Sequence, residues 1–263
     1  GLNMCILFLA YKVHPQYPLI MAANRDEFWH RPAEPAHFWP DAPHLLGGRD
    51  QAGGGTWLGV TRQGRVAAVT NYRERPKGQA PRSRGELVRR FLIDQQHPKL
   101  YLKRVSSEQM AYNGYNLLLG DMTGIYYHSN RISADQSDPR PLKPGIYGLS
   151  NHLLDTPWFK VEKGKRMLKA IVSDHTVSPT RLFELLADQE KAPEDQLPES
   201  GIDRELEKRH SPIFIQDTTY GTRCSTLLLV NQEYVWFSER QFSPDYSRFQ
   251  ERSFVFPVEH VVS

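Results

Sequence analysis

The stretch MCILFLAY, residues 4–11, decides how the rest of the chain is read. Seven consecutive apolar or aromatic residues follow Met4, too few for a helix of ordinary length and without polar alternation, which predicts a strand buried on both faces. Its first residue is a cysteine, one of only two in 263 residues. A thiol on such a strand can be a small core hydrophobe, since free cysteine is among the most buried residue types. Loss of Met4 would instead make Cys5 the first residue and set an α-amine beside its own thiol. The amine titrates near pH 8, so its neutral form can accept the thiol proton at neutral pH, and one residue supplies both nucleophile and base. On this reading residues 1–4 are a leader or an expression remnant, and the mature chain starts at Cys5.

Working outward, the same apolar strand signal recurs in pairs separated by turn residues. CILFLAYKVHPQYPLIMAANRDE breaks at His14-Pro15, TWLGVTRQGRVAAVTNYRE at Gln63-Gly64, YNLLLGDMTGIYYHS at Asp121 to Gly124, and STLLLVNQEYVWFSE at Asn231-Gln232. With a short run at 147–151 these give about ten strands, antiparallel because their connections are too short for crossovers. Helical periodicity falls between them, at 84–96, 99–110, 157–172 and 178–189, the last with Ser178 as N-cap before Pro179. Residues 190–210, charged and broken by proline, read as an exposed excursion. Nothing divides the chain, so residues 1–263 are expected to form one α+β domain, a four-layer αββα sandwich of two mainly antiparallel sheets.

Composition narrows the function. Thirty-three basic against 30 acidic residues leave a formal charge of +3, too mild for a nucleic-acid binder, and PRSRGELVRR reads as the solvated face of a helix. No CxxC or HExxH occurs. His30, His37 and His44 recur every seven residues, but within a proline-broken stretch that cannot align them as metal ligands. No cofactor is expected. Nothing approaches a membrane span or a signal peptide, so the reading is a soluble cytoplasmic protein with free thiols, acting on a small molecule, of unspecified oligomeric state. GGRDQAGGGTWLGV lacks the Lys-Ser/Thr ending of a phosphate loop and leads into a strand, so its glycines read as permitting tight turns or a close backbone approach; Phe28, Trp29, Trp39 and Trp57 are aromatic candidates for a pocket lining or for core.

In AANRDEF, strand alternation puts Asn24 and Asp26 on one face and Arg25 with Glu27 on the other. Asn71 and Asn151 each close an apolar strand. Arg223 enters the apolar run CSTLLLV and needs a partner if buried, Asp26 being the candidate, while alternation turns Cys224 away into core. MCILFLAY, AANRDEF, GGGTWLGV, VTNYRE, SRGELV, YNLLLGD, GLSNHLLDTPWFKV and YGTRCSTLLLV with FSERQF, in that order from Met4 to about Phe242, resemble the NRDE family, which includes the transport and Golgi organisation proteins. That family is considered related to the N-terminal nucleophile hydrolases of the choloylglycine hydrolase and penicillin V acylase group. The resemblance implies that Cys5 is the nucleophile, that Asp26 orients its amine, that Asn71 and Asn151 supply oxyanion donors, and that Arg223 biases the thiol. Arg25 and Trp57 would contact substrate. The hydrolases' arginine near the nucleophile falls on Ala23, a departure. Two functions follow. One is an N-terminal cysteine hydrolase, an amidohydrolase acting on a linear amide or acyl bond. The alternative is a non-catalytic carrier on the same fold, in line with the family's links to haem trafficking and to lipid or acyl-coenzyme A handling.

Overall fold

A computed structural model describes residues 5–75, 78–132, 138–199 and 201–260. Twelve strands and five α-helices occur among them. In chain order they are β1 Cys5–Tyr11, β2 Leu19–Phe28, β3 Ala33–Trp39, β4 Ala42–Asp50, β5 Leu58–Thr61, β6 Val66–Asn71, α1 Gly85–Ile93, α2 Pro98–Glu108, β7 Tyr115–Asp121, β8 Gly124–Ser129, β9 Gly145–Leu149, α3 Phe159–Val172, α4 Pro179–Leu186, α5 Arg204–Arg209, β10 Tyr220–Val230, β11 Tyr234–Phe242 and β12 Phe249–Pro257. One sheet runs β12-β11-β10-β2-β1-β9 and the other β3-β4-β5-β6-β7-β8. Every pairing described is antiparallel.

The apolar run at the N-terminus is apolar throughout because both of its faces are covered. Leu7, Leu9 and Tyr11 join Leu46, Val60 and Leu118 of the other sheet in the layer between the sheets. Ile6, Phe8 and Ala10 point the other way, onto Leu168, Ile171 and Leu182 of α3 and α4. The second sheet packs its outer face on α1 and α2 through Leu87, Phe91 and Tyr101. Four layers result, the αββα sandwich that the strand and helix pattern predicts.

Two local details position the site. Glycine in a helix interior costs about 1 kcal/mol relative to alanine, yet α3 carries Gly164 where a Cβ would lie 2.0 Å from the Phe8 ring. The missing side chain lets α3 approach β1 closely, and one turn earlier the same buried stripe carries Lys160. On β10 the register with β2 shifts between Thr222 and Cys224. Arg223 occupies that bulge, and the alternation predicted for this strand end is broken there.

Three expectations need correction. The sheets hold twelve strands where about ten were counted; β3, β4 and β12 carried no recognised strand signal. PRSRGELVRR is not wholly a solvated face, because Arg84 reaches across to donate to the Gly114 carbonyl at 2.9 Å. The 190–210 excursion is exposed along much of its length but buries Ala192, Leu197 and Glu207. Residues 1–4 lie outside the described residues.

Candidate active site

The site forms where the ends of the two sheets meet, and Asn151 joins them. Leaving β9, Asn151 accepts a hydrogen bond at Oδ1 from the main-chain nitrogen of Cys5 at 3.1 Å. Its Nδ2 donates across the sandwich to the Asn71 carbonyl, at the end of β6, at 2.8 Å. Ser150 Oγ adds a bond to the Cys5 carbonyl at 2.9 Å, and Thr70 Oγ1 donates to the Ser150 carbonyl at 2.8 Å. Asn151 itself is buried. The first residue of β1 is therefore held at its nitrogen and at its carbonyl, with its side chain left to face the cleft.

That cleft, about 140 Å³, opens between the sheets. Cys5, Arg25, Asp26, Glu27, Arg223, Cys224 and Glu239 line it from one sheet; Gly48, Asp50, Trp57 and Asn71 line it from the other, and Ser83 to Gly85 enter from the start of α1. The register places Cys5 opposite Arg25, and Arg25 opposite Cys224, so both thiols flank one arginine. The Cys5 thiol is pushed up to about 12 by burial and then by the charge of Asp26, while a backbone hydrogen bond from Asp26 and the Arg25 guanidinium pull the other way. At neutral pH this thiol keeps its proton, so any nucleophilic role requires a base.

Asp26 is buried. Oδ1 accepts from Thr222 Oγ1 at 2.6 Å, and Oδ2 has no hydrogen-bond partner among the described residues. Burial raises its pKa, opposed chiefly by the charge of Lys160. Lys160 is buried in turn, donating from Nζ to the His210 carbonyl at 3.0 Å. Burial lowers its pKa, and Asp26 is the largest influence holding its charge. Behind Cys5 there is thus a buried acid and a buried base, on the helix side of the sheet.

Arg223 does not pair with Asp26, which corrects the expectation. It donates from Nη1 to the carbonyls of Phe28 at 2.8 Å and Arg31 at 3.0 Å, and its guanidinium lies 4.8 Å above the Trp29 ring. The bulge at β10 turns it toward the β2–β3 connection, and the cation beside the thiol is Arg25 instead. Cys224 is also corrected: it is buried, but it faces the cleft. Asn24 points into the helix layer, donating to the carbonyls of Leu186 and Ile213. Trp57 lines the cleft, whereas Trp39 is core, its indole nitrogen donating to the Gly47 carbonyl. Lys160 went unrecognised. Its signal was present in the sequence, as a lysine at the head of the apolar i, i+4, i+8 row with Gly164 and Leu168. Among the described residues no group of three or more His, Cys, Asp or Glu is placed to hold a metal ion. No described helix is long and apolar enough to cross a membrane.

Known proteins resemble this chain at two levels. Among solved structures it is similar to a Caenorhabditis elegans ortholog of N-acylethanolamine-hydrolyzing acid amidase, with a TM-score of 0.48 at 11% identity, covering 86% of this chain and 92% of that one. It is also similar to a mutant conjugated bile acid hydrolase from Clostridium perfringens, with a TM-score of 0.38 at 8% identity, covering 99% and 90%. In sequence, the Transport and Golgi organization 2 homolog of Mus musculus is 36% identical over 282 aligned positions, spanning 97% of this chain and 100% of that protein. The homolog of Homo sapiens is 37% identical over 278 positions, spanning 97% and 100%. The Drosophila melanogaster protein is 30% identical over 253 positions, spanning 88% and 89%. A family model described as Transport and Golgi organisation 2 matches residues 4–244, and the chain belongs to that family.

Proposed function

We propose that the protein is an N-terminal cysteine amidohydrolase, acting once Cys5 is the first residue of the chain. The observation that carries this reading is the Cys5 nitrogen fixed by Asn151 at 3.1 Å at the end of the cleft that its thiol lines. Burial holds the thiol protonated, and the neutral α-amine supplies the missing base. In the first step the amine takes the thiol proton while sulfur bonds to the carbonyl carbon of a linear amide. The resulting oxyanion needs fixed donors. The Asn71 side-chain amide, which lines the cleft and makes no hydrogen bond among the described residues, is suited to that task. Asn151 is suited to a different one: with Oδ1 on the Cys5 nitrogen and Nδ2 on the Asn71 carbonyl, it aligns base and donor. Asp26 helps to place the protonated amine, its unpartnered Oδ2 being an available acceptor. The ammonium then protonates the leaving nitrogen, the C–N bond breaks, and a thioester remains. Water adds to the thioester with the amine again taking its proton, and the thiol leaves as acid product forms.

The test compares two forms of one protein, one cleaved to begin at Cys5 and one retaining Met4. Incubation with a panel of acyl amides, read by product formation and by intact mass, should give turnover and a Cys5 thioester in the first form alone. Equal turnover in both forms would remove the amine as base. A carrier would turn over none of the panel in either form, and Cys5→Ala would then alter only ligand affinity.

A further inference from the structure

Five arginines line the cleft, and four of them are fastened to the protein. Arg31 donates to Asp50 at 2.7 Å. Arg49 forms a two-point bond with Asp41 at 2.7 and 3.0 Å. Arg84 reaches the Gly114 carbonyl, and Arg223 the carbonyls of Phe28 and Arg31. Arg25 differs. Its guanidinium makes no hydrogen bond among the described residues, and the carboxylate oxygen paired with it, Glu27 Oε2, stands 3.7 Å away. Glu27 is itself engaged, accepting from the Phe28 nitrogen at 2.9 Å and standing 3.9 Å from Arg31. The Arg25 side chain is only 12% exposed, so few waters can reach its five donors.

A guanidinium so enclosed, facing a cleft with its donors uncommitted, matches a planar anion presented in two-point fashion. Its place in the sheet fixes where that anion must lie. Arg25 is the direct cross-strand neighbour of Cys5, and adjacent strands are about 4.8 Å apart. An anion on the guanidinium and a carbonyl on the thiol are then separated by only a few bonds of one small molecule. Beyond Arg25 the wall continues through Cys224 and Gln241 to Glu239, a buried carboxyl that accepts from the Ala36 nitrogen at 3.0 Å and disfavours an anion at that end.

We infer that Arg25 is an anion-recognition residue, and that the substrates are amides bearing a carboxylate, sulfonate or phosphate within a few bonds of the scissile carbonyl. The inference rests on the proposed hydrolase reading for the word amide, and on Arg25 alone for the anion.

The experiment uses matched acyl amides on the form that begins at Cys5: an acylglycine, an acyltaurine, an acylated phosphoethanolamine and the neutral acylglycinamide. The three acids distinguish the anion classes. At least one acid should exceed the neutral amide in kcat/KM by about 10- to 100-fold, the range for hydrogen bonds to a charged partner. Arg25→Gln should erase that ratio. Arg25→Lys, which keeps a charge beside the thiol but not the fork, should recover only part of the ratio. Reading the ratio separates recognition from any effect of Arg25 on thiol reactivity, which touches acid and neutral substrates alike. In parallel, binding of the same acids is measured calorimetrically to Cys5→Ala, with and without Arg25→Gln. Turnover with no preference for any acid overturns the anion inference and leaves the hydrolase reading standing. Acid binding that depends on Arg25, without turnover of any substrate, keeps the inference and overturns the hydrolase reading. Acids that bind Cys5→Ala no more tightly than the neutral amide, or equally with and without Arg25→Gln, overturn the inference directly.

Discussion

Replacing both members of the buried Asp26–Lys160 pair should leave the protein as stable as before or more so, although replacing either one alone should damage it. Lys160→Met removes the charge that does most to offset the burial of the Asp26 carboxyl, leaving an acid with one oxygen on Thr222 and the other without a partner. Asp26→Asn leaves a buried ammonium whose described hydrogen bond goes to one main-chain carbonyl, that of His210. Removing one member of a buried ion pair in contact costs about 3–5 kcal/mol, whereas substituting both charges by neutral groups of similar volume is commonly neutral or stabilising by about 1–4 kcal/mol. Asp26 and Lys160 act on each other without a hydrogen bond between them, so each single loss should reach at most about 3 kcal/mol. At roughly 2–4 °C per kcal/mol for a chain of this size, each single variant should melt up to about 12 °C lower, and the double variant at or above the wild type.

The pH dependence sharpens the test. Burial raises the Asp26 pKa above the ordinary value of 3.8. The folded state therefore holds this proton after the unfolded chain has lost it, and the stability so contributed is complete below 3.8 and is lost as pH rises through the folded value. Lys160 behaves in the opposite sense. Burial lowers its pKa from 10.5, so its contribution is complete above 10.5 and is lost as pH falls through the folded value. Near neutrality both losses stand together. The advantage of Asp26→Asn/Lys160→Met over the wild type should be largest there and shrink toward acid and toward alkali. Urea unfolding at a series of pH values measures it. A double variant whose loss at neutral pH equals the sum of the two single losses would refute the electrostatic argument, since it would show no coupling between the sites.

Three further outcomes follow from the same geometry. Asn151→Ala removes the partner of both the Cys5 nitrogen and the Asn71 carbonyl; it should lower stability by about 2–4 kcal/mol in chemical unfolding and reduce kcat far more than it raises KM. Gly164→Ala sets a Cβ into the Phe8 ring, at 2.0 Å, and should cost about 1–3 kcal/mol, recovered in part by Phe8→Leu. With the Cys5 thiol pushed up to about 12, alkylation by iodoacetamide in the form that retains Met4 should be slow at neutral pH and climb about tenfold per pH unit through pH 9; a plateau below pH 9 would contradict this environment.

How much of this could be read from residues alone depended on whether the local signal was left intact by its surroundings. β1, β2, β7 and β10 are buried on both faces, so apolar runs announce them and their turns fall at Asp121 to Gly124 and Asn231-Gln232 as expected. β3 was hidden by Pro35 within it and by Pro32 and Pro40 at its two ends. It is an edge strand with a broken register, and an edge tolerates Pro35 where a central strand would not. Pro43 on β4 lies outside the described ladder with β5, which spans Leu45 to Gly47. β12 was missed because it is an exposed edge, with seven of its nine residues solvent-exposed and Phe256 alone buried. At the site, the position of each candidate along its strand was legible, but direction was not. A single bulge sends Arg223 away from Asp26 and brings Cys224 to the cleft, and bulges leave no reliable mark in one sequence.

The misjudged 190–210 segment shows how far the site's support extends. Arg73 follows Asn71 by two residues, and its main-chain nitrogen donates to the Asn151 carbonyl at 2.7 Å. Its guanidinium pairs with Glu207 on α5 at 2.6 Å, both side chains almost wholly buried, and lies 4.9 Å from the Trp158 ring. Lys160 meets the carbonyl of His210, the residue after α5. A segment that reads as solvated loop is thereby tied to both partners of Cys5, to Asn151 through Arg73 and to Asp26 through Lys160. Charged residues broken by prolines gave no hint of this, because the glutamate that matters is one acid among several and only its partner on the far side of the chain distinguishes it. The thiol end of β1 faces the cleft, and the charges behind the site lie beside it: Lys160 of α3 acts on Asp26 of β2, and Glu207 of α5 holds Arg73. Loosening α5 should therefore disturb the alignment of the Cys5 nitrogen without altering any residue that lines the cleft.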